Sequence, residues 1–272
     1  MREKAAGKLL IIGGNEDKHG DCIVLRKFVE LAGGREARIA VMTTATELPR
    51  EVGDEYRVIF SDLGAEVVSV VNIDNREEAA DRRQVSELEQ AGGIFFTGGD
   101  QLRLTSILGG SAIDGAIRRA FRQGTVIGGT SAGASVMSTT MIVEGNSSDT
   151  PKKSALSMAH GMGLIDEVVI DQHFAQRGRI NRLLAAVSQN PHVLGIGVDE
   201  DTALLVSPGG KCEIVGSQTV TVVDGKDIGY SNVSESKCAD PLAISNVILH
   251  ILPPGFGYDL RSRKPYMNGS RH

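Results

Sequence analysis

Short apolar runs, each followed by a helix-like stretch, recur through the first half of the chain. The runs are rich in β-branched residues and lie at residues 9–12, 37–42, 66–71, 93–96 and 125–127. Apolar residues at helical spacing fill residues 22–31, and charged stretches with narrower apolar stripes fill residues 51–63 and 77–90. This order predicts an α/β fold in which helices sandwich a mostly parallel sheet, with right-handed crossovers between strands.

The later sequence departs from this alternation without a linker that would start a second domain. Residues 213–215 and 219–223 precede the turn dipeptide Asp224-Gly225, which predicts a C-terminal antiparallel hairpin at the sheet edge. The polar residues 143–154 predict an exposed loop, and residues 261–272 predict a loosely ordered end. We therefore expect one domain over residues 1–272.

Charge, cysteine content and hydropathy exclude several classes of protein. The chain has 29 Lys and Arg against 34 Asp and Glu, a formal net charge of −5, and no long basic run for binding nucleic acid. The three cysteines are far apart and form no CxxC pair, so we expect a reducing cytoplasm and no zinc site. The apolar run at residues 9–12 is too short for a signal peptide, and no segment is predicted to span a membrane.

The strongest candidate for chemistry is Ser131, which lies in a Gly-x-Ser-x-Gly pattern between an apolar run and helix-compatible small residues. A nucleophile on such a turn needs small neighbours at Gly129 and Gly133, which let the helix approach the strand. The N–H of Ala132 would begin the helix and could donate to an oxyanion, with Gly99 as the second donor. The alternative is a glycine turn with Ser131 as a simple helix N-cap.

A serine nucleophile needs a general base, and His173 is the best placed of the six histidines. It follows the apolar residues 168–170, so it should lie just past a strand end, where catalytic groups of parallel sheets gather. The acids Asp199, Glu200 and Asp201 follow the apolar residues 194–198 and could orient the imidazole. Spacing alone does not choose among these three acids, nor does it exclude Asp171.

Three arginines follow the histidine and would suit a substrate that carries charge. Arg177, Arg179 and Arg182 could pair with carboxylates, and Asp171 could accept a guanidinium. The alternative for Arg182 is a place on the wet face of a helix over residues 180–187.

Five separated motifs contain the candidate residues and the glycine-rich loops. They are Gly-Gly-Asn-Glu-Asp at residues 13–17, Thr-Gly-Gly-Asp-Gln at 97–101, Gly-Gly-Thr-Ser-Ala-Gly-Ala at 128–134, Asp-Gln-His-Phe-x-x-Arg-x-Arg at 171–179 and Asp-Glu-Asp-Thr-Ala at 199–203. Together they resemble the cyanophycinases, serine peptidases in the same superfamily as α-aspartyl dipeptidase. The likeness extends from Gly7 to about Pro253. It implies a fold related to class I glutamine amidotransferases and a triad of Ser131, His173 and Glu200. The order Ser, His, Glu differs from that of α/β-hydrolases, which makes an ordinary esterase or lipase a poorer fit.

The resemblance also implies a substrate. Cyanophycin is a poly-aspartate with arginine on each β-carboxyl, and the family releases β-aspartyl-arginine dipeptides from it. Carried over by matching position, the pocket residues would be Gln101, Asp171, Gln172, Arg177, Arg179 and Arg182. The expected reaction passes through an acyl-enzyme, with the Gly99 and Ala132 amides as donors to the oxyanion. No metal or organic cofactor is expected. The resemblance also suggests a homodimer. The rivals are an aspartyl or isoaspartyl dipeptidase with the same triad and a non-catalytic protein that binds an anion on its glycine loops.

Overall fold

The computed structural model describes residues 7–145, 150–153 and 156–268. The strands are β1 (Leu9–Ile12), β2 (Arg38–Met42), β3 (Val67–Val71), β4 (Gly93–Phe96), β5 (Val126–Thr130), β6 (Thr140–Gly145), β7 (Leu156–His160), β8 (Val168–Asp171), β9 (Leu194–Val198), β10 (Thr202–Val206), β11 (Lys211–Gly216), β12 (Val220–Asp224), β13 (Tyr230–Ser231), β14 (Ile244–Ser245), β15 (Ile248–Leu252), β16 (Phe256–Asp259) and β17 (Lys264–Met267). The α-helices are α1 (Ile23–Leu31), α2 (Pro49–Asp62), α3 (Arg82–Glu89), α4 (Gln101–Leu108), α5 (Ala112–Gln123), α6 (Ala132–Ser135) and α7 (Ile180–Gln189), and 3-10 turns lie at Gly34–Glu36 and Glu78–Ala80. None of the helices in these ranges is long and apolar enough to cross a membrane.

The five predicted strands of the first half are confirmed and form the parallel half of the larger sheet, in the order β1-β5-β4-β2-β3. These strands are apolar because helices cover both faces. In β1, Leu10 and Ile12 belong to the core shared with α1 and α2, whereas Leu9 and Ile11 belong to the core shared with α3, α4 and α5. Alternate side chains thus face opposite layers, as the pleat of a strand requires.

The predicted helices are also present, with one division. The charged stretch at residues 77–90 becomes the 3-10 turn Glu78–Ala80 followed by α3. The division falls at Asp81, which has an extended backbone. Its side chain caps α3 by accepting a hydrogen bond from the Arg83 N–H.

The other half of the larger sheet is antiparallel, so the sheet is mixed and the expected mostly parallel arrangement is wrong for this half. Strands β10, β11, β16 and β17 extend from β1, each antiparallel to its neighbour, and bring the sheet to nine strands in the described chain.

The hairpin predicted from residues 213–215 and 219–223 is wrong, because β11 and β12 lie in different sheets. Strand β12 joins a four-stranded sheet in the order β15-β12-β9-β8. All five residues of β12 are buried, whereas β11 alternates between exposed and buried residues over its first four positions. A hairpin at an edge would leave one face of β12 in water, so its apolar side chains favour the interior of a second sheet.

Two segments expected to lack regular structure contain strands. Residues 143–145 belong to β6, which pairs with β7 in an antiparallel ribbon, whereas residues 146–149 and 154–155 of the predicted loop lie outside the described residues. Residues 264–267 form the edge strand β17, which pairs with β16, and residues 269–272 lie outside the description.

Candidate active site

The turn after β5 places Ser131 on a strained elbow, as its glycine pattern predicts. Ser131 has φ 54° and ψ −112°, between the end of β5 and the start of α6. A Cβ on Gly129 would lie 2.4 Å from the Gly133 carbonyl oxygen, and a Cβ on Gly133 would lie 2.4 Å from the Phe96 carbonyl oxygen. Both positions therefore require glycine for α6 to pack against β4 and β5.

The side chain of Ser131 forms no N-cap hydrogen bond to α6 and lies instead beside a histidine. His173 Nε2 is 3.1 Å from Ser131 Oγ, and His173 Nδ1 is 2.7 Å from Glu200 Oε1. The structure thus brings the three predicted residues into one hydrogen-bonded chain, in the order that a nucleophile, a base and an orienting acid require.

The loop after β1 fixes the position of His173. The His173 N–H donates to the Gly13 carbonyl oxygen at 2.7 Å, and His173 itself has φ 45°. The imidazole lies against Gly14, where an added Cβ would be 2.3 Å from its Cε1 atom. Gly14 thus leaves the space that the imidazole occupies.

Of the candidate acids, only Glu200 has a described contact with His173. Asp199 accepts hydrogen bonds from the Ala175 N–H and from Thr219. It therefore connects the loop after β8 with the loop before β12. The second oxygen of Glu200 accepts from Asn15 Nδ2 at 3.0 Å. The sequence motif includes Asn15, but nothing in its pattern assigns this contact to it.

The electrostatics of the three residues suit a base that is neutral before reaction. Burial lowers the pKa of His173, the nearby positive charges of Arg177 and Arg179 lower it further, and the hydrogen bond and charge of Glu200 oppose them. The hydrogen bond from His173 lowers the pKa of Glu200, and the bond from Asn15 adds to it. Near neutral pH, an unprotonated imidazole therefore faces Ser131 while an ionised carboxylate lies behind it.

The loop after β4 passes beside Ser131. A Cβ on Gly98 would be 3.6 Å from Ser131 Cβ. Gly99 has φ +140°, and a Cβ there would lie 2.1 Å from the Ala45 carbonyl oxygen, so only glycine fits. Ala132 is the first residue of α6, and its N–H has no partner within the helix. A cavity of about 690 Å³ opens along this loop and is lined by Ser131 and Gly99 among others.

Beyond β8, Asp171 and two arginines form a buried ion cluster. Asp171 is 1% exposed and Arg182 is 5% exposed. Arg182 Nε donates to Asp171 Oδ2 at 2.7 Å, its Nη2 donates to Oδ1, and Arg179 Nη1 lies 3.3 Å from Oδ1. Both carboxylate oxygens thus contact arginines of this chain, and the substrate guanidinium expected on Asp171 would have to displace them. The alternative that placed Arg182 on the solvent-exposed face of a helix is also wrong, because its side chain is buried.

The remaining predicted pocket residues have distinct environments. Gln172 Oε1 accepts from Arg179 Nη1 at 2.8 Å, and burial lowers the pKa of Arg179 to about 10. Gln101 Nε2 donates to the carbonyl oxygens of Ile142 and Val143 on β6. Arg177 is exposed. Within residues 7–145, 150–153 and 156–268, no cluster of three His, Cys, Asp or Glu side chains could hold a metal ion.

Residues 9–214 match Peptidase family S51. A cyanophycinase from Geminocystis herdmanii is 41% identical over 266 residues, which are 97% of this chain and 98% of that protein. The chain belongs to peptidase family S51. A cyanophycinase from a Nostoc species is 40% identical over 97% of this chain and 89% of its own length. Its place in the family makes the chain a serine-type peptidase.

A solved structure carries a similar fold at lower identity. The crystal structure of a peptidase from an acI-B1 Actinobacterium aligns with a TM-score of 0.71 and 21% identity, covering 95% of this chain and 98% of that one. This likeness supports an α/β fold with a large mixed sheet flanked by helices.

Proposed function

We propose that this S51 peptidase degrades cyanophycin to β-aspartyl-arginine dipeptides through an acyl-enzyme on Ser131. The observation that carries the proposal is the Ser131, His173 and Glu200 chain of hydrogen bonds beside a cluster of buried arginines. Similarity to cyanophycinases over nearly the full length supports the same substrate. The aspartyl or isoaspartyl dipeptidase alternative has no observation of its own in its favour.

In the proposed acylation, His173 Nε2 takes the Ser131 proton as Oγ attacks the scissile carbonyl carbon. Glu200 stabilises the imidazolium that forms. The developing oxyanion accepts hydrogen bonds from the Ala132 and Gly99 amides, and the tetrahedral intermediate collapses as His173 returns the proton to the leaving amine. Water then attacks the acyl-enzyme with His173 again as base, which releases the second product and restores Ser131.

Charged groups of the substrate would be held on the arginine side of the nucleophile. The Nε atom of Arg179 is buried with no hydrogen-bond partner among the described residues, which supports a role as donor to a substrate carboxylate. Arg177 and the amides of Gln101 and Gln172 complete the proposed pocket. Asp171 and Arg182 then serve it indirectly, since Asp171 anchors the guanidinium of Arg179.

The proposal extends to features beyond the site. We infer one domain over the chain, a relationship to the class I glutamine amidotransferase fold, and a homodimer. Cys22, Cys212 and Cys238 are all free thiols, which supports a reducing cytoplasm.

The test is incubation of the purified protein with insoluble cyanophycin, with soluble β-aspartyl-arginine followed by mass spectrometry. Release by the wild type and none by Ser131→Ala is the expected result. Release by both proteins would contradict the assignment of Ser131, and release by neither, together with cleavage of Asp-x dipeptides by the wild type, would favour the dipeptidase.

A further inference from the structure

The last residue of β1 and the loop after it contact each member of the proposed catalytic chain. The Ile12 carbonyl oxygen accepts from the Ser131 N–H at 3.1 Å, and the Gly13 carbonyl oxygen accepts from the His173 N–H at 2.7 Å. Asn15 donates to Glu200 at 3.0 Å. The next residue, Glu16, lines the same cavity as Ser131 but forms no hydrogen bond with Ser131, His173 or Glu200, and the proposed mechanism gives its carboxylate no chemical step.

Glu16 is nevertheless a buried carboxylate with two specific donors. It is 4% exposed, and its Oε2 accepts from Thr130 Oγ1 at 2.6 Å while its Oε1 accepts from the Tyr56 hydroxyl. Burial and the charge of Glu16 raise the pKa of Tyr56 well above its ordinary value, so the phenol remains protonated and donates. A buried carboxylate is unfavourable unless such donors satisfy it, which makes both hydrogen bonds strongly held.

Thr130 is the residue immediately before the strained nucleophile. A backbone conformation such as that of Ser131 persists only where its surroundings hold it in place. The Ser131 N–H is fixed on β1, and the hydroxyl of Thr130 is fixed on Glu16. An apolar side chain at position 130 could fill the same space, but it would lack the hydrogen bond to Glu16.

We propose that Glu16 is a positioning residue, which holds the elbow at Ser131 through Thr130 and sets Asn15 of its own loop against Glu200. Both ends of the hydrogen-bonded chain then depend on one buried carboxylate whose own hydrogen bonds go to Thr130 and Tyr56. This inference rests on the proposed function, because it requires Ser131 to be an activated nucleophile.

The sharpest test compares two substitutions of Thr130, with labelling of Ser131 by a small fluorophosphonate as the readout. Thr130→Val keeps the shape but removes the hydroxyl, so we expect the labelling rate to fall on the order of tenfold to a hundredfold through misplacement of the nucleophile. Thr130→Ser keeps the hydroxyl and should label within about threefold of the wild type. Circular dichroism and thermal unfolding fix a temperature at which every variant is folded.

Two further substitutions test the other hydrogen bond of the Glu16 carboxylate, which it accepts from Tyr56. Tyr56→Phe removes one donor to Glu16 and should also slow labelling, as should Glu16→Gln where that variant folds. Tyr266→Phe is the matched control, because its hydroxyl donates to the Cys212 carbonyl oxygen on β11, and it should label at the wild-type rate. With cyanophycin as substrate, a positioning role predicts a lower kcat with little change in KM.

The outcomes separate this inference from the proposed function. Wild-type labelling rates in both folded Thr130→Val and folded Tyr56→Phe would overturn the positioning role, as would equal losses in Thr130→Val and Thr130→Ser. A raised KM for cyanophycin with unchanged labelling would also overturn it, because Glu16 would then act on the substrate. A wild-type protein that labels but does not degrade cyanophycin would contradict only the proposed substrate, whereas one that is not labelled at all would overturn both proposals.

Discussion

His173 Nε2 lies 3.1 Å from Ser131 Oγ, although 42 residues separate the two in the chain. The two residues are held together by consecutive residues at the end of β1, because the Ser131 N–H donates to the Ile12 carbonyl oxygen and the His173 N–H donates to the Gly13 carbonyl oxygen. The hydroxyl is thus within hydrogen-bond distance of an imidazole whose pKa is lowered by burial.

The first prediction concerns the nucleophile itself. Ser131→Ala should reduce turnover of cyanophycin by at least about 10³-fold, since the acyl-enzyme cannot form. Stability should change little, because only one small hydroxyl is lost. Ser86→Ala on α3 removes an exposed hydroxyl far from the site and serves as the control. Substantial activity in folded Ser131→Ala, measured as soluble dipeptide released, would rule out this nucleophile.

The second prediction concerns pH. Labelling of Ser131 needs the neutral imidazole, so its rate should rise with pH through the pKa of His173 and level off above it. Burial and the charges of Arg177 and Arg179 lower this pKa, which places the midpoint below the ordinary value of about 6.5. Because a positive neighbour disfavours the imidazolium, Arg177→Gln should move the midpoint to higher pH.

Arg57→Gln provides the control for the pH experiment, because Arg57 lies on α2 and pairs with Asp54 in water. It should leave the midpoint unchanged. A midpoint that stays fixed in Arg177→Gln, or moves equally in both variants, would contradict a local effect of Arg177 on His173.

The third prediction concerns the buried ion cluster. Asp171→Asn leaves the guanidinium groups of Arg179 and Arg182 without their carboxylate, so the free energy of unfolding should fall by about 3–5 kcal/mol in urea. Asp74→Asn breaks an exposed pair with Arg103 and should cost less than about 1 kcal/mol. Similar small losses in the two variants would show that the cluster contributes little to the folded state.

The parallel half of the fold was predictable because its strands are continuous apolar runs with intervening helices. The second half was not, since strand partners there are set by distant residues: β11 pairs with β16, and β12 with β15, across intervening loops. A turn dipeptide such as Asp224-Gly225 indicates only that the chain turns there. It does not determine which strands pair with the strand before it.

The site shows a similar division. Ser131 and His173 could be chosen from glycine spacing and strand ends, whereas Glu200 needed the family resemblance, because Asp199 and Asp201 occupy equivalent sequence contexts. The contact of Asn15 with Glu200 and the burial of Asp171 against Arg182 depend on where loops pack. Neither has a periodic signal in the sequence.

The last prediction isolates the fit between Gly14 and the imidazole. Gly14 has φ +102°, and a Cβ there would lie 2.3 Å from His173 Cε1. Gly64 has the similar φ of +95°, but an added Cβ would meet no atom within 4 Å. Gly14→Ala and Gly64→Ala should therefore share a backbone strain of about 1–2 kcal/mol, seen in urea unfolding. Only Gly14→Ala should also displace His173 and slow fluorophosphonate labelling by about a hundredfold. Equal labelling rates in the two folded variants would mean that the imidazole does not depend on the space left by Gly14.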